Sequence, residues 1–424
     1  MENNKSTNSN MPIIIIGALF FIFGFVTWLN ATLIPYLRLA CELTVVESLL
    51  VTFAFYISYF FMALPSSWVL EKVGFKNGMS LGLITMAIGS LVFIPAAMTR
   101  TYWLFLTGLF IQGAGLTILQ AASNPYVTII GPIESAAKRI SIMGIANKVA
   151  GIISPLILGA IVLQGADELV DKLTTLNVAE KTVELDALAT RVIIPYVVMA
   201  AVLLILAVLI IYSSLPKINT NDDDQDAASG GRSIFKYTYL WLGIISIFVY
   251  VGVEVIAVDT LISYGNSIGF SFEEAKLFAS YTLFAMILGY FVGIALIPKV
   301  ISQSNALAVM AILGVGFTIL AVLTDGYASI LSIALLGFAN SLMWPAIWPL
   351  AIEGLGRFTK IGSALLIMGI AGGAILPLVY GKLSEVPAIG TQNAYLIMIP
   401  CYLFILHFAL KGYKIGRTNK STNK

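Results

Sequence analysis

Apolar residues run in blocks of twenty or more along almost the whole chain, and polar residues gather in the gaps between them. A helix rises about 1.5 Å per residue, so each block is long enough to cross a hydrocarbon layer of about 30 Å. The pattern predicts twelve spans, at 12–37, 47–70, 78–98, 102–130, 139–163, 191–214, 238–265, 272–298, 304–324, 327–352, 360–383 and 391–412. The expected fold class is an all-α integral membrane protein. Most gaps are short. Two are longer: 164–190, mildly acidic and read as a loop, and 215–235, whose run NDDDQDAASGGRS has the composition of a flexible linker.

The second of these gaps divides six spans from six. The expected organisation is a tail at 1–11, a six-helix half at 12–214, a linker at 215–235, a six-helix half at 236–412 and a tail at 413–424. A repeat supports the division. IMGIA stands at 142–146 and again at 367–371, and SPLILG at 154–159 answers LPLVYG at 376–381. The fifth and eleventh spans are therefore copies of one element, and they run in the same direction because six spans separate them. Parallel halves of this kind are the arrangement of major facilitator transporters, whose site lies near the midplane between the halves. Aligned on the repeat, Asn147 and Lys148 stand opposite Gly372 and Gly373.

Composition agrees: 59% of residues are hydrophobic and 11% charged, against about 25% charged in soluble domains. With a cytoplasmic N-terminus, sixteen of the 24 Lys and Arg residues fall on the side of the termini and seven on the other, Lys148 lying within a span. The positive-inside rule then places both termini in the cytoplasm. MENNKSTNSN leads into the first span with no cleavage site, so it reads as a tail and not a signal peptide. Cys41 and Cys401 lie at opposite ends of the chain and suggest no disulfide framework. His407 alone is too little for a zinc site, and a packed structural role within its span is expected. The acidic run Asp222, Asp223, Asp224 and Asp226 reads as solvated linker. No P-loop, metal cluster or nucleophile–base constellation is present, which argues against an enzyme and against ATP-driven transport. No cofactor, metal or nucleic-acid partner is expected, and the chain reads as a monomer in the bilayer.

Several stretches carry a resemblance. FGFVTWLNATLIPYL in the first span, LQAASNPYVTIIGP in the fourth, YVGVEV in the seventh and MWPAIWPLAIEGLGRFTKIGSALLIMGIAGGAILPL across the tenth and eleventh resemble the fucose–galactose–glucose:proton symporter family of the major facilitator superfamily. They are most similar to its glucose/galactose branch. The resemblance implies uptake of a neutral hexose, glucose or galactose with fucose in range, across a bacterial inner membrane by cation symport with alternating access. Uncoupled facilitation, efflux or exchange of another solute, and sugar sensing remain as alternatives. The superfamily's motif between the second and third spans resembles SWVLEKVGFKNG at 67–78, which implies gating on the cytoplasmic side by Glu71, Lys72, Gly74 and Lys76. Two departures matter. The acids that the family carries after its first-span asparagine and in its fourth span are here Ala31 and Gln120.

A hexose needs amides or carboxylates for its hydroxyls and aromatic rings for its apolar faces. Gln112, Gln120 and Asn124 form one slanted stripe on the fourth span, and Asn30, Asn147 and Asn340 add amides. Trp28, Tyr250, Trp344 and Trp348 are the aromatic candidates, whereas Trp103 and Tyr264, near span ends, read as interfacial belt residues. The ionisable residues inside spans are Lys148, Glu254 and Asp259. An unpaired charge there costs about 3 kcal/mol or more, so each is expected to face a cavity or a partner. Lys148 and Glu254 lie at similar depth in opposite halves; Asp259 is shallower and turned about 140° from Glu254. Lys148 could neutralise an acid across the centre, act as a fixed cation or bond substrate hydroxyls, with a static structural pair as the alternative. The expected substrate site is Asn30, Gln120, Asn124, Asn147, Lys148, Tyr250, Glu254, Trp344 and Trp348. With Ala31 and Gln120 in place of acids, coupling falls to Glu254, supported by Asp259 and Lys148, with a proton or sodium as the ion.

Overall fold

The computed structural model describes residues 11–129, 136–213, 234–297, 299–355 and 358–417. Among them, eleven helices are long and apolar enough to cross a membrane. The longest, Leu50–Met98, is interrupted at Gly74, whose φ of 77° and ψ of 165° are not helical. Leu70 meets Gly78 across that turn, so the helix supplies both the second and the third predicted span and the total is twelve. A positive φ is strained for any residue with a Cβ, which is why the turn falls on glycine. The linker 215–235 lies outside the described residues, apart from its last two.

Several spans are broken near mid-depth. The first comprises Met11–Trp28 and Asn30–Ala40, the seventh Thr238–Asp259 and Leu261–Ser267, and the tenth Gly326–Ser341 and Met343–Ile352. The eleventh runs from Thr359–Met368 through a 3-10 turn, Gly369–Ala371, into Gly372–Ser384. The predicted loop at 164–190 is instead two helices, Ala166–Leu173 and Val178–Thr190. Its acids caused the misreading: Asp167 and Glu168 occupy the first turn of one helix, and Glu180 closes a capping box with Asn177 in the other. Leu185 and Leu188 bury one face, and the Tyr36 hydroxyl donates to the Leu188 and Ala189 carbonyls.

Two further expectations change. Tyr264 is buried, 2% exposed, its hydroxyl 2.7 Å from Ser329 Oγ and its ring edge-on to Tyr395. It is a core residue rather than a belt residue, because its hydroxyl and ring are both taken up by the ninth-to-twelfth-span side of the bundle. His407 is exposed on the twelfth span rather than packed against a neighbour. Trp103 is 72% exposed at the start of the fourth span, and both cysteines are free.

The two halves meet along repeat-related lines. The fifth span, Ala136–Val162, packs on the eighth, Phe278–Leu296, and the eleventh packs on the second. At the end of the bundle away from the termini, two short helices open the second and eighth spans. Each begins with a capping box, Thr44 with Glu47 and Ser271 with Glu274. Each also donates one free backbone N–H to an acid of the opposite half: Val46 N to Glu385 Oε1 at 3.2 Å, and Phe272 N to Asp167 Oδ1 at 3.0 Å. Those acids stand just past the ends of the eleventh and fifth spans, so the two bonds are copies of one contact.

Backbone approach fixes the packing within each half. A Cβ on Gly24 would lie 1.8 Å from the Asn147 carbonyl oxygen, joining first and fifth spans. A Cβ on Gly372 would lie 1.7 Å from the Phe248 carbonyl oxygen, joining seventh and eleventh. Small residues admit such contacts between membrane helices. Gly24→Ala and Gly372→Ala are each expected to cost about 1–3 kcal/mol or more through overpacking, read as a lowered midpoint of thermal unfolding in detergent. Gly316, where an added Cβ would meet nothing within 4 Å, should accept alanine without loss.

Candidate transport site

The fifth and seventh spans bring together the two charges that the repeat had left unexplained. Lys148 Nζ lies 2.7 Å from Glu254 Oε1, and both side chains are about 8% exposed. The ammonium also sits 4.2 Å over the centre of the Trp28 ring, a cation–π contact that adds to the pairing. Local sequence makes the geometry. A Cβ on Gly151, three residues beyond Lys148, would lie 2.3 Å from the Trp28 ring, so the indole can lie flat against the fifth span. Gly252 similarly receives Leu376 from the eleventh span beside Glu254.

Around this pair stands a collar of amides and phenols. Trp28 Nε1 donates to Asn147 Oδ1 at 3.4 Å, and Asn147 Nδ2 donates to the Phe20 carbonyl at 3.4 Å. Asn147 is thus shared with the first span through long bonds. Tyr250, one turn before Glu254 on the same helix, is buried. Tyr56, Tyr290 and Tyr402 are buried as well; Tyr56 lies against Gly373 and Tyr290 against Gly144 of the fifth span. Tyr402 in turn donates to Asn340 Oδ1 at 3.0 Å, while Asn340 Nδ2 has no partner. Sequence reasoning missed these three tyrosines. The available signal was a phenol far from either end of its span, where no water can satisfy it.

The opposite copy of Lys148 explains the asymmetry of the repeat. A Cβ on Gly373 would lie 3.0 Å from both the Tyr56 ring and Val255. One half projects a cation toward the other; its copy recedes to admit an aromatic ring.

The remaining candidates are distributed as follows. Trp344 and Trp348 are half-buried and stacked, with centroids 5.1 Å apart and planes at 28°. Asn30 is 1% exposed and neither amide atom has a partner. Asp259 is fully buried, and neither carboxylate oxygen has a partner. The fourth-span stripe divides: Gln112 donates to Ser90 Oγ at 2.8 Å between the third and fourth spans, whereas Gln120 is half-buried. The side chain of Asn124 lies outside the described residues. In the motif at 67–78, Gly74 makes the turn, Lys76 Nζ donates to the Ser213 carbonyl at the end of the sixth span at 2.6 Å, and Glu71 and Lys72 are exposed. No group of three or more metal-ligating side chains occurs among the described residues. An internally neutralised ion pair, amide atoms without partners and stacked indoles make a polar centre of no net charge between the halves.

Twelve spans in two parallel halves, paired as fifth with eighth and eleventh with second around a polar centre, define a secondary transporter. The family model described as Major Facilitator Superfamily matches residues 16–377, and the chain belongs to that superfamily. Within it the chain belongs to the fucose–galactose–glucose:proton symporter branch. It is 35% identical over 418 residues to the glucose/galactose transporter of Brucella abortus, covering 97% of each chain. It is 29% identical to the L-fucose-proton symporter of Escherichia coli, covering 96% of this chain and 94% of that one. Among solved structures it is similar to the major facilitator transporter FucP in the outward conformation, with a TM-score of 0.71, 27% identity, and coverage of 94% and 98%.

The ion pair makes a specific demand on stability. Removing one partner leaves the other buried and uncompensated, at a cost of about 3–5 kcal/mol, whereas removing both can be nearly neutral. Lys148→Met is therefore expected to lower the unfolding midpoint sharply, and Lys148→Met with Glu254→Leu to recover most of the loss, measured by thermal unfolding of the purified variants.

Proposed function

We propose that the protein takes up a neutral hexose, glucose or galactose with fucose as a third candidate, across a bacterial inner membrane by alternating access with symport of a monovalent cation. The observation that carries this reading is the Lys148–Glu254 pair, which bridges the two halves through the polar centre. The two charges cancel, so the site presents strong donors and acceptors without a net charge of its own, as a neutral polyol requires. Sugar hydroxyls can bond the ammonium, the carboxylate and the amides of Asn147 and Gln120, while Trp344 and Trp348 offer a stacked aromatic surface for an apolar sugar face. The names of the relatives from Brucella abortus and Escherichia coli agree with such a substrate. A facilitator without ion coupling is the second reading, favoured by Ala31 and Gln120 where the family carries acids.

Alternating access needs an end that opens. With both termini cytoplasmic, the end held by Val46–Glu385 and Phe272–Asp167 faces outward. The two bonds then act as paired latches that hold the outer side shut, each a carboxylate on a helix N-terminus, where the dipole adds to the hydrogen bond. Lys76 on the sixth span's last carbonyls, with Gly74 at the turn, does the corresponding work at the cytoplasmic end.

Labelled glucose, galactose and fucose offered to proteoliposomes test the substrate. Gln120→Ala and Asn147→Ala are expected to raise KM by up to about tenfold, the equivalent of one hydrogen bond of about 0.5–1.5 kcal/mol, at unchanged protein incorporation. Failure of the parent to move any of the three sugars would reject the reading. The latches are tested by Asp167→Asn combined with Glu385→Gln in a background of Cys41→Ser, Cys401→Ala and Leu49→Cys. Leu49 is 2% exposed and packs against Gly381 between the halves; its thiol should react several-fold faster with an external impermeant maleimide once the latches are gone.

A further inference from the structure

Glu254 has a counter-charge and Asp259 has none. Among the described residues, the buried charged side chains are Lys148, Glu254 and Asp259. Lys148 and Glu254 cancel at 2.7 Å, so the protein interior is short by one positive charge. The deficit lies at Asp259, which is fully buried and has no hydrogen-bond partner on either oxygen. We propose that Asp259 carries the coupling proton, while Lys148–Glu254 is a standing ion pair between the halves.

A carboxylate without donors in an apolar interior is strongly disfavoured, and a neutral carboxylic acid is far less so. Binding one proton to Asp259 makes the three-residue set electroneutral. A metal cation would need several oxygen ligands arranged around it, whereas a proton needs only one Asp259 oxygen, and both are without a partner. The charged and titratable groups that face Asp259 are few. Glu254 acts on it from its own helix and the Tyr56 phenol from the second span. The twelfth span's Tyr395 is held at 2.8 Å from Thr260 Oγ1, and Tyr264, past the break, is held by Ser329. From the eighth span, Thr282 Oγ1 donates to the Ala257 carbonyl at 3.3 Å. None of these supplies a cation.

Position links the proton to the gate. Asp259 is the last residue of Thr238–Asp259, joined through Thr260 to Leu261–Ser267. It lies about 7.5 Å beyond Glu254 along the axis, toward the end closed by the two latches. Opening that end exposes Asp259 to the outside before the deeper pair, so a proton is taken up there when the outer side opens. It is released to the cytoplasm after the halves have rocked.

The link to sugar rests on the hexose reading, but the proton site does not, and the experiment separates them. Infrared spectra of the purified full-length protein at neutral pH should show the carbonyl stretch of a protonated carboxylic acid. The band should vanish in Asp259→Asn and Asp259→Leu and persist in Glu254→Gln. Its absence from the parent, or its survival in both Asp259 variants, overturns the proposal. In proteoliposomes, Asp259→Asn should keep sugar counterflow within about threefold of the parent and lose accumulation driven by a pH gradient. It should also lose sugar-evoked proton uptake. Proton uptake that survives in Asp259→Asn, or accumulation in the parent driven by sodium with no proton movement, also overturns it. If the band behaves as expected and no hexose moves, the hexose reading falls and the proton site stands.

Discussion

A lysine ammonium at mid-depth in a membrane must find an opposite charge, and the nearest one the chain offers is in the other half of the molecule. Much of the centre follows from that need. Lys148 reaches Glu254 only if the fifth and seventh spans lie at one depth on facing sides, and the first span must come close enough for Trp28 to lie beneath the ammonium. The glycines at 24 and 151 allow that approach. In a low-dielectric surrounding the pair is held strongly, and it is strongly missed when broken.

The two copies of one element differ at this point: Lys148 projects a charge across the interface, whereas at Gly373 the Tyr56 ring occupies the space a side chain would take. The halves remain alike where they serve symmetric purposes. The short helices at Val45–Ser48 and Phe272–Ala275 keep the same capping box and the same bond to an acid across the interface. Symmetry is kept at the end of the bundle away from the termini and given up at the centre.

Water exclusion gives the parts different roles. The pair is neutral in place, the phenols of Tyr250, Tyr290 and Tyr402 are buried, and Asp259 stands unpartnered at the end of Thr238–Asp259. Under the proposal that Asp259 carries the coupling proton, the pair that joins the halves and the group that takes up the proton are different residues.

By itself the sequence determined the class of the fold, because hydrocarbon thickness sets a helix length that apolar runs either reach or do not, and the copied IMGIA segment declared the two parallel halves. It also singled out Lys148, Glu254 and Asp259, since charge inside an apolar run is visible without any coordinates. It misjudged the helices at 164–190, where acids that cap helices look like acids in a loop, and it placed Tyr264 at the membrane edge because its partners Ser329 and Tyr395 are distant in the chain. Only the tertiary structure decided which charge meets which. Pairing Lys148 with Glu254 and leaving Asp259 alone depends on how side chains 106 residues apart in the chain are brought together across the two halves, and that is decided by packing between spans, which no periodicity within one span encodes.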